Sequence, residues 1–142
     1  MKLILTFLAI IIGNDFNPAV LVDYHKLNSE KTELAFINKY KNISSPTVQG
    51  YVCSIEMKQA TYFYNPIKKL SIFKESRNKL ELLIKDEPEN VHLRYIRYFV
   101  QLNCPPILSY SGNLLEDKKI LTSYLAKNKD LLSQFIKKNC QI

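Results

Sequence analysis

The chain has 142 residues, room for one ordinary domain and too little for two. Hydrophobic residues make up 46% and charged residues 23%, which excludes a wholly disordered chain. The net charge of +7 admits nucleic acid, an anionic membrane surface or an acidic partner. The lysines are scattered, however, as in Lys118/Lys119, Lys127/Lys129 and Lys137/Lys138, and those spacings decorate the solvent faces of helices.

The first segment reads as an export signal. Met1-Lys2 precedes an uncharged apolar run, Leu3 to Ile12, and the polar break Gly13-Asn14-Asp15 follows. One positive residue, about ten apolar residues and a polar break form a secretory signal peptide. A membrane-spanning helix needs about 20 apolar residues, so the run is too short for one. Residues 1–16 are therefore expected to be a cleaved signal peptide, with cleavage between residues 13 and 19. Residues 17–142 are expected to form a single helical domain in the periplasm or outside the cell.

The whole chain has only three glycines and is rich in Leu, Ile, Lys and Glu, which favours helices over a turn-rich β fold. Asn17-Pro18 predicts a short helix over 18–27. Ser29 caps a second, with Leu34, Ile37 and Tyr40 on one face. Ser45-Pro46 opens a third of about 18 residues, carrying Val48, Tyr51, Val52, Ile55 and Tyr62 at helical spacing. Asn65-Pro66 starts a fourth, with Leu70, Phe73, Leu80 and Leu83 on one side. On its other side, Arg77–Glu81 and Glu81–Lys85 are opposite charges four residues apart.

Asp86-Glu87-Pro88-Glu89-Asn90 ends that helix, and Asn90 caps the next, 91–103, which Pro105-Pro106 closes. Asn113 with Glu116 predicts a capping box for a sixth helix, and Asn128 starts a seventh. Helices joined by short turns predict an all-α fold of stacked antiparallel hairpins, about six to seven helices in all. The turn at Pro88 gives it a loosely tetratricopeptide-like character.

The segment 91–103 carries the most informative polar pattern. At about 100° per residue, Arg94, Arg97, Tyr98 and Gln101 share one narrow stripe, and Leu93, Ile96, Phe99 and Val100 point the other way. A helix apolar over most of its circumference is central in its domain. Unpaired buried arginines cost several kcal/mol, so carboxylate partners are expected. Glu56, Glu116 and Asp117 are the candidates, with Asp117 favoured by its place one turn into the following helix. The stripe Arg94, Arg97, Gln101 and Asp117 is thus either an internal salt-bridge network or an anion-binding groove.

His92 reads as a core or boundary histidine, and His25 supports no site. Cys53, Cys104 and Cys140 stand at wide spacing, with no Cys-x-x-C pair and no His at ligand spacing, so no metal site is expected. They are free thiols or hold one disulfide, and the spacing does not say which pair. Cys140 is expected to be exposed, and Cys53 and Cys104 buried. A Cys104–His92 nucleophile pair would lie at opposite ends of one helix, about 18 Å apart. No phosphate loop, no His-Glu-x-x-His and no Gly-x-Ser-x-Gly occurs, so neither a cofactor nor an enzymatic activity is expected.

Arg94-x-x-Arg97-x-x-x-Gln101-x-Asn103-x-Pro105, then Leu108-x-Tyr110 and Asn113-x-x-Glu116-Asp117-Lys118, resembles a family of small uncharacterised bacterial proteins, secreted or periplasmic and helical. The resemblance extends upstream through Tyr51, Lys58, Ala60, Asn65-Pro66, Leu70 and Phe73. The family pattern tends to carry an acid where His92 stands, and this departure shifts the pairing of the arginines towards Asp117. The resemblance implies an exported helical protein and no particular activity. The functional expectation is a binding or scaffolding module for a protein or envelope component, not for nucleic acid, with no transmembrane span. The alternative is a basic protein held at anionic envelope or membrane surfaces through its lysine-rich helices.

Overall fold

The computed structural model describes residues 16–142. Most of the expected signal peptide therefore lies outside the described residues. Seven α-helices follow one another: α1 (Ala19–His25), α2 (Glu30–Tyr40), α3 (Pro46–Gln59), α4 (Pro66–Asp86), α5 (Val91–Asn103), α6 (Leu114–Lys127) and α7 (Leu131–Cys140). Short 3-10 turns occupy Ala60–Tyr62 and Pro106–Leu108. The helices pack antiparallel, and the described residues contain no strand. None of these helices is long and apolar enough to cross a membrane.

Local capping chemistry sets most of the helix starts. The side chains of Ser29, Ser45, Asn65 and Asn90 each accept a backbone N–H of the first turn, from residues in extended conformation. Proline at the first position of α3 and α4 lacks an N–H that would be unpaired there anyway. At two starts the capping differs from expectation, although α6 begins after Asn113 as expected. Asp130, not Asn128, caps α7, because its carboxylate accepts the Ser133 N–H at 2.9 Å. The capping box at Asn113 does not form, because a partner from another helix takes each of its members, as described below. The third helix is also shorter than expected, 14 residues, tightening into the 3-10 turn at 60–62.

Packing is organised around α3 as much as α5. Ten of the 14 residues of α3 are buried, because α2, α4 and α5 all lie against it. α5 in turn contacts α3, α4, α6 and α7. Gly50 permits the closest approach of the two. A Cβ there would sit 2.4 Å from Leu93 Cδ2 and 3.1 Å from Ile96 Cδ1. Tyr51, Leu80, Leu93, Tyr95, Ile96, Leu121 and Ile136 are completely buried in the resulting core. Leu34 is 45% exposed instead of packed, because α2 turns Glu33, Phe36 and Tyr40 inward.

Candidate functional site

The polar stripe of α5 is held by α4 and α6. Arg97 Nε donates to Asp117 Oδ2 at 2.7 Å and Nη2 to Asp117 Oδ1 at 2.8 Å, a two-pronged pair. Its Nη1 reaches Glu81 Oε2 at 2.9 Å. Arg94 Nη1 donates to Asp117 Oδ1 at 3.1 Å and to Glu116 Oε1 at 2.8 Å, and its Nε donates to the carbonyl of Pro88 at 3.0 Å. Asp117 is completely buried and both arginines nearly so. Burial opposes the charge on Arg97, but Asp117 and Glu81 outweigh it and raise its pKa. Arg94 holds the Glu116 carboxyl below its usual range.

Gln101 completes the stripe. It exchanges two hydrogen bonds with Asn113, whose Oδ1 accepts from Gln101 Nε2 and whose N–H donates to Gln101 Oε1. That exchange, together with the Glu116–Arg94 pair, is why no capping box forms. Glu56 instead meets Lys79. Glu81 is the partner that sequence reasoning missed. It bonds Arg97 and the Tyr110 hydroxyl rather than Arg77 or Lys85. Arg77 lies over the Tyr110 ring, 5.8 Å from its centroid. Two guanidinium groups thus face three carboxylates, and five of their six nitrogens are committed, Arg94 Nη2 being the exception. Such a cluster fixes α4, α5 and α6 against each other and has no fork left for an external anion.

Both histidines lie within aromatic clusters. His92 Nδ1 is 2.8 Å from the Tyr51 hydroxyl, with the Phe16 ring 4.4 Å away. His25, which carried no expectation, stacks on Phe135 at 4.2 Å and meets the Tyr95 hydroxyl at 2.9 Å. Burial pushes both down to about 4, so each is neutral near pH 7. All three cysteines are free thiols. Cys140 is buried, not exposed, because the last turn of α7 packs into the core. Burial pushes Cys53 and Cys140 up to about 12. Cys104 is half-buried, not fully buried as expected, because it stands at the open end of α5.

That end of α5 borders a cleft of about 970 Å3 among the described residues. Its walls come from α1, α3, α4, α5, α7 and both 3-10 turns. The lining is mostly apolar, with Ile55, Met57, Phe73, Phe99, Val100 and Leu108 forming the interior. Ile107 (90% exposed) and Leu70 (40% exposed) stand at the rim. Ile67, next to the lining residue Pro66, is 80% exposed. No Asp or Glu lines the cleft, whereas Lys58 and Lys69 do.

Leu70 and Phe73 were expected on a packed face of α4, and only Phe73 is buried. The cleft has no local sequence signature, because its walls run from Tyr24 to Asn139. The one hint was a helix face with more large apolar residues than the fold covers. No family model matches this chain, and neither a curated protein nor a solved structure matches it.

Proposed function

We propose that this chain is an exported, non-catalytic binding module of loosely tetratricopeptide-like hairpins, and that the apolar cleft is its recognition surface. One observation carries the reading. A cleft of about 970 Å3 with an apolar interior is rimmed by two apolar side chains left in solvent, Ile107 and Leu70. Small-molecule and peptide sites are concave and mostly apolar, at roughly 300–1,000 Å3, and apolar groups left exposed at such a rim mark recognition.

The non-catalytic part is supported by where the nucleophiles lie. Cys53 and Cys140 are buried with their thiols pushed up to about 12, and both histidines face tyrosine hydroxyls within the core. Export rests on the apolar run Leu3 to Ile12. Phe16 packs on His92, so processing before residue 16 would keep that contact. The partner is a protein or an envelope component.

A neutral apolar fluorophore, N-phenyl-1-naphthylamine, tests the cleft. It should bind saturably at one site, and Leu70→Glu or Ile107→Glu should weaken binding about tenfold or more. Both positions are exposed, so the variants should keep the wild-type fold. No saturable binding, or unchanged binding in both variants, would remove the cleft as the recognition surface. A second reading draws on the exposed lysines of α6 and α7 and the loop between them, Lys118, Lys119, Lys127, Lys129, Lys137 and Lys138. It requires pelleting with anionic vesicles that fades as ionic strength rises.

A further inference from the structure

The cleft's chemistry narrows what it takes, and the narrowing rests on the cleft being the recognition surface. Its polar lining side chains are almost all committed within the protein. Ser54 bonds the Tyr24 hydroxyl and the Tyr51 carbonyl. Thr61 donates to the Lys58 carbonyl, and Asn103 to the Phe99 carbonyl. Asn139 donates to the Phe135 carbonyl and the Tyr95 hydroxyl, and Tyr95 also engages His25. Lys58 is neutralised by the buried Glu33 carboxylate at 2.6 Å.

Lys69 differs from all of these. It is half-buried in the first turn of α4 and lines the cleft. Among the described residues it has no carboxylate within 4.0 Å and makes no side-chain hydrogen bond. To an incoming molecule the cleft is an apolar trough with one uncompensated cation at its edge and no acid in its wall.

We propose that the occupant is a single-chain amphiphile, an acyl chain ending in a carboxylate, with the chain in the trough and the carboxylate on Lys69. An apolar body satisfies the interior, which offers few free donors or acceptors to a polar one. One anion satisfies Lys69, and a half-buried ion pair is screened less than a surface one. A partner helix would bring several polar groups to a wall whose hydrogen bonds are already made.

The test is displacement of N-phenyl-1-naphthylamine from the full mature chain by dodecanoate and by dodecanol, at pH 8 and below micelle formation. Dodecanoate should displace the probe at about tenfold lower concentration than dodecanol. Lys69→Gln should bring the two within about threefold, with each displacement expressed relative to that variant's own probe affinity. Lys68→Gln removes the same charge outside the cleft lining and should leave the gap intact, which separates a local ion pair from the net charge of +7. Equal displacement by the acid and the alcohol, or a gap that survives Lys69→Gln, overturns the proposal while the cleft itself stands. So does an acidic amphipathic peptide that displaces the probe at lower concentration than dodecanoate. Failure of the probe to bind wild-type protein removes the cleft reading and this inference with it.

Discussion

Asp117 is a carboxylate without solvent contact, and two arginines divide its oxygens between them. Neutralising it leaves two buried cations to the half-exposed Glu81 and Glu116. Asp117→Asn should therefore destabilise the fold by about 3–5 kcal/mol, and Arg94→Ala or Arg97→Ala by about 2–4 kcal/mol. Glu116→Gln should cost less than about 1 kcal/mol, because its side chain is 55% exposed. Urea unfolding measures all four, and equal losses at residues 116 and 117 would contradict this ranking. The pairing of α5's arginines with Asp117 was legible because two charges on a mostly apolar helix demand a partner close by in the chain. Glu81 was not legible as a partner, because its local charge neighbours Arg77 and Lys85 offered a sufficient explanation in one dimension. At the thiols, burial predicts that native protein at pH 8 reacts slowly at Cys104 and not at Cys53 or Cys140. Three thiols should react after denaturation, and rapid labelling of more than one in the native state would show a looser core.

Helices α2 to α5 announce themselves through their first residues, since a cap and its N–H acceptor are neighbours in sequence. Asn90 does more than cap. Its Oδ1 accepts from His92 and Leu93 while its Nδ2 donates to Thr47 and Glu87, which ties the start of α5 to α3 and to the end of α4. Asn90→Ala should cost about 1–2 kcal/mol. Sequence missed the capping at Asn113, where the tertiary partner Gln101 outcompetes the local one, and the start of α7, where Asp130 caps in place of Asn128. The dominance of α3 was also hidden, because its polar residues (Thr47, Ser54, Gln59) are buried too and blur its periodicity. Gly50 makes the α3–α5 contact testable. Alanine there gains up to about 1 kcal/mol of helix propensity but overpacks by about 1–3 kcal/mol. A net loss on the order of 1 kcal/mol is expected by thermal or urea unfolding, and a more stable Gly50→Ala would show that Leu93 yields freely.

For the molecule as a whole, the two histidines couple folding to pH. Both bind their proton near pH 4 in the folded chain and near 6.5 when unfolded. Between those values the unfolded state carries more protons, so stability falls as pH drops from about 6.5 towards 4 and is flat just above 7. His25→Phe with His92→Phe should flatten that slope, and an unchanged slope in urea titrations would place it elsewhere. The antiparallel helical fold was legible from composition, periodicity and caps. The cleft was not, since it exists only once five helices and two 3-10 turns, spread over more than a hundred residues of chain, come together. Its role as the recognition surface is the central claim, and backbone amide chemical-shift mapping with N-phenyl-1-naphthylamine addresses it directly. The shifts should cluster at Leu70, Phe73, Phe99, Val100 and Leu108 and leave α6 unmoved. Shifts spread along Lys118 to Lys138, or none at all, would contradict it.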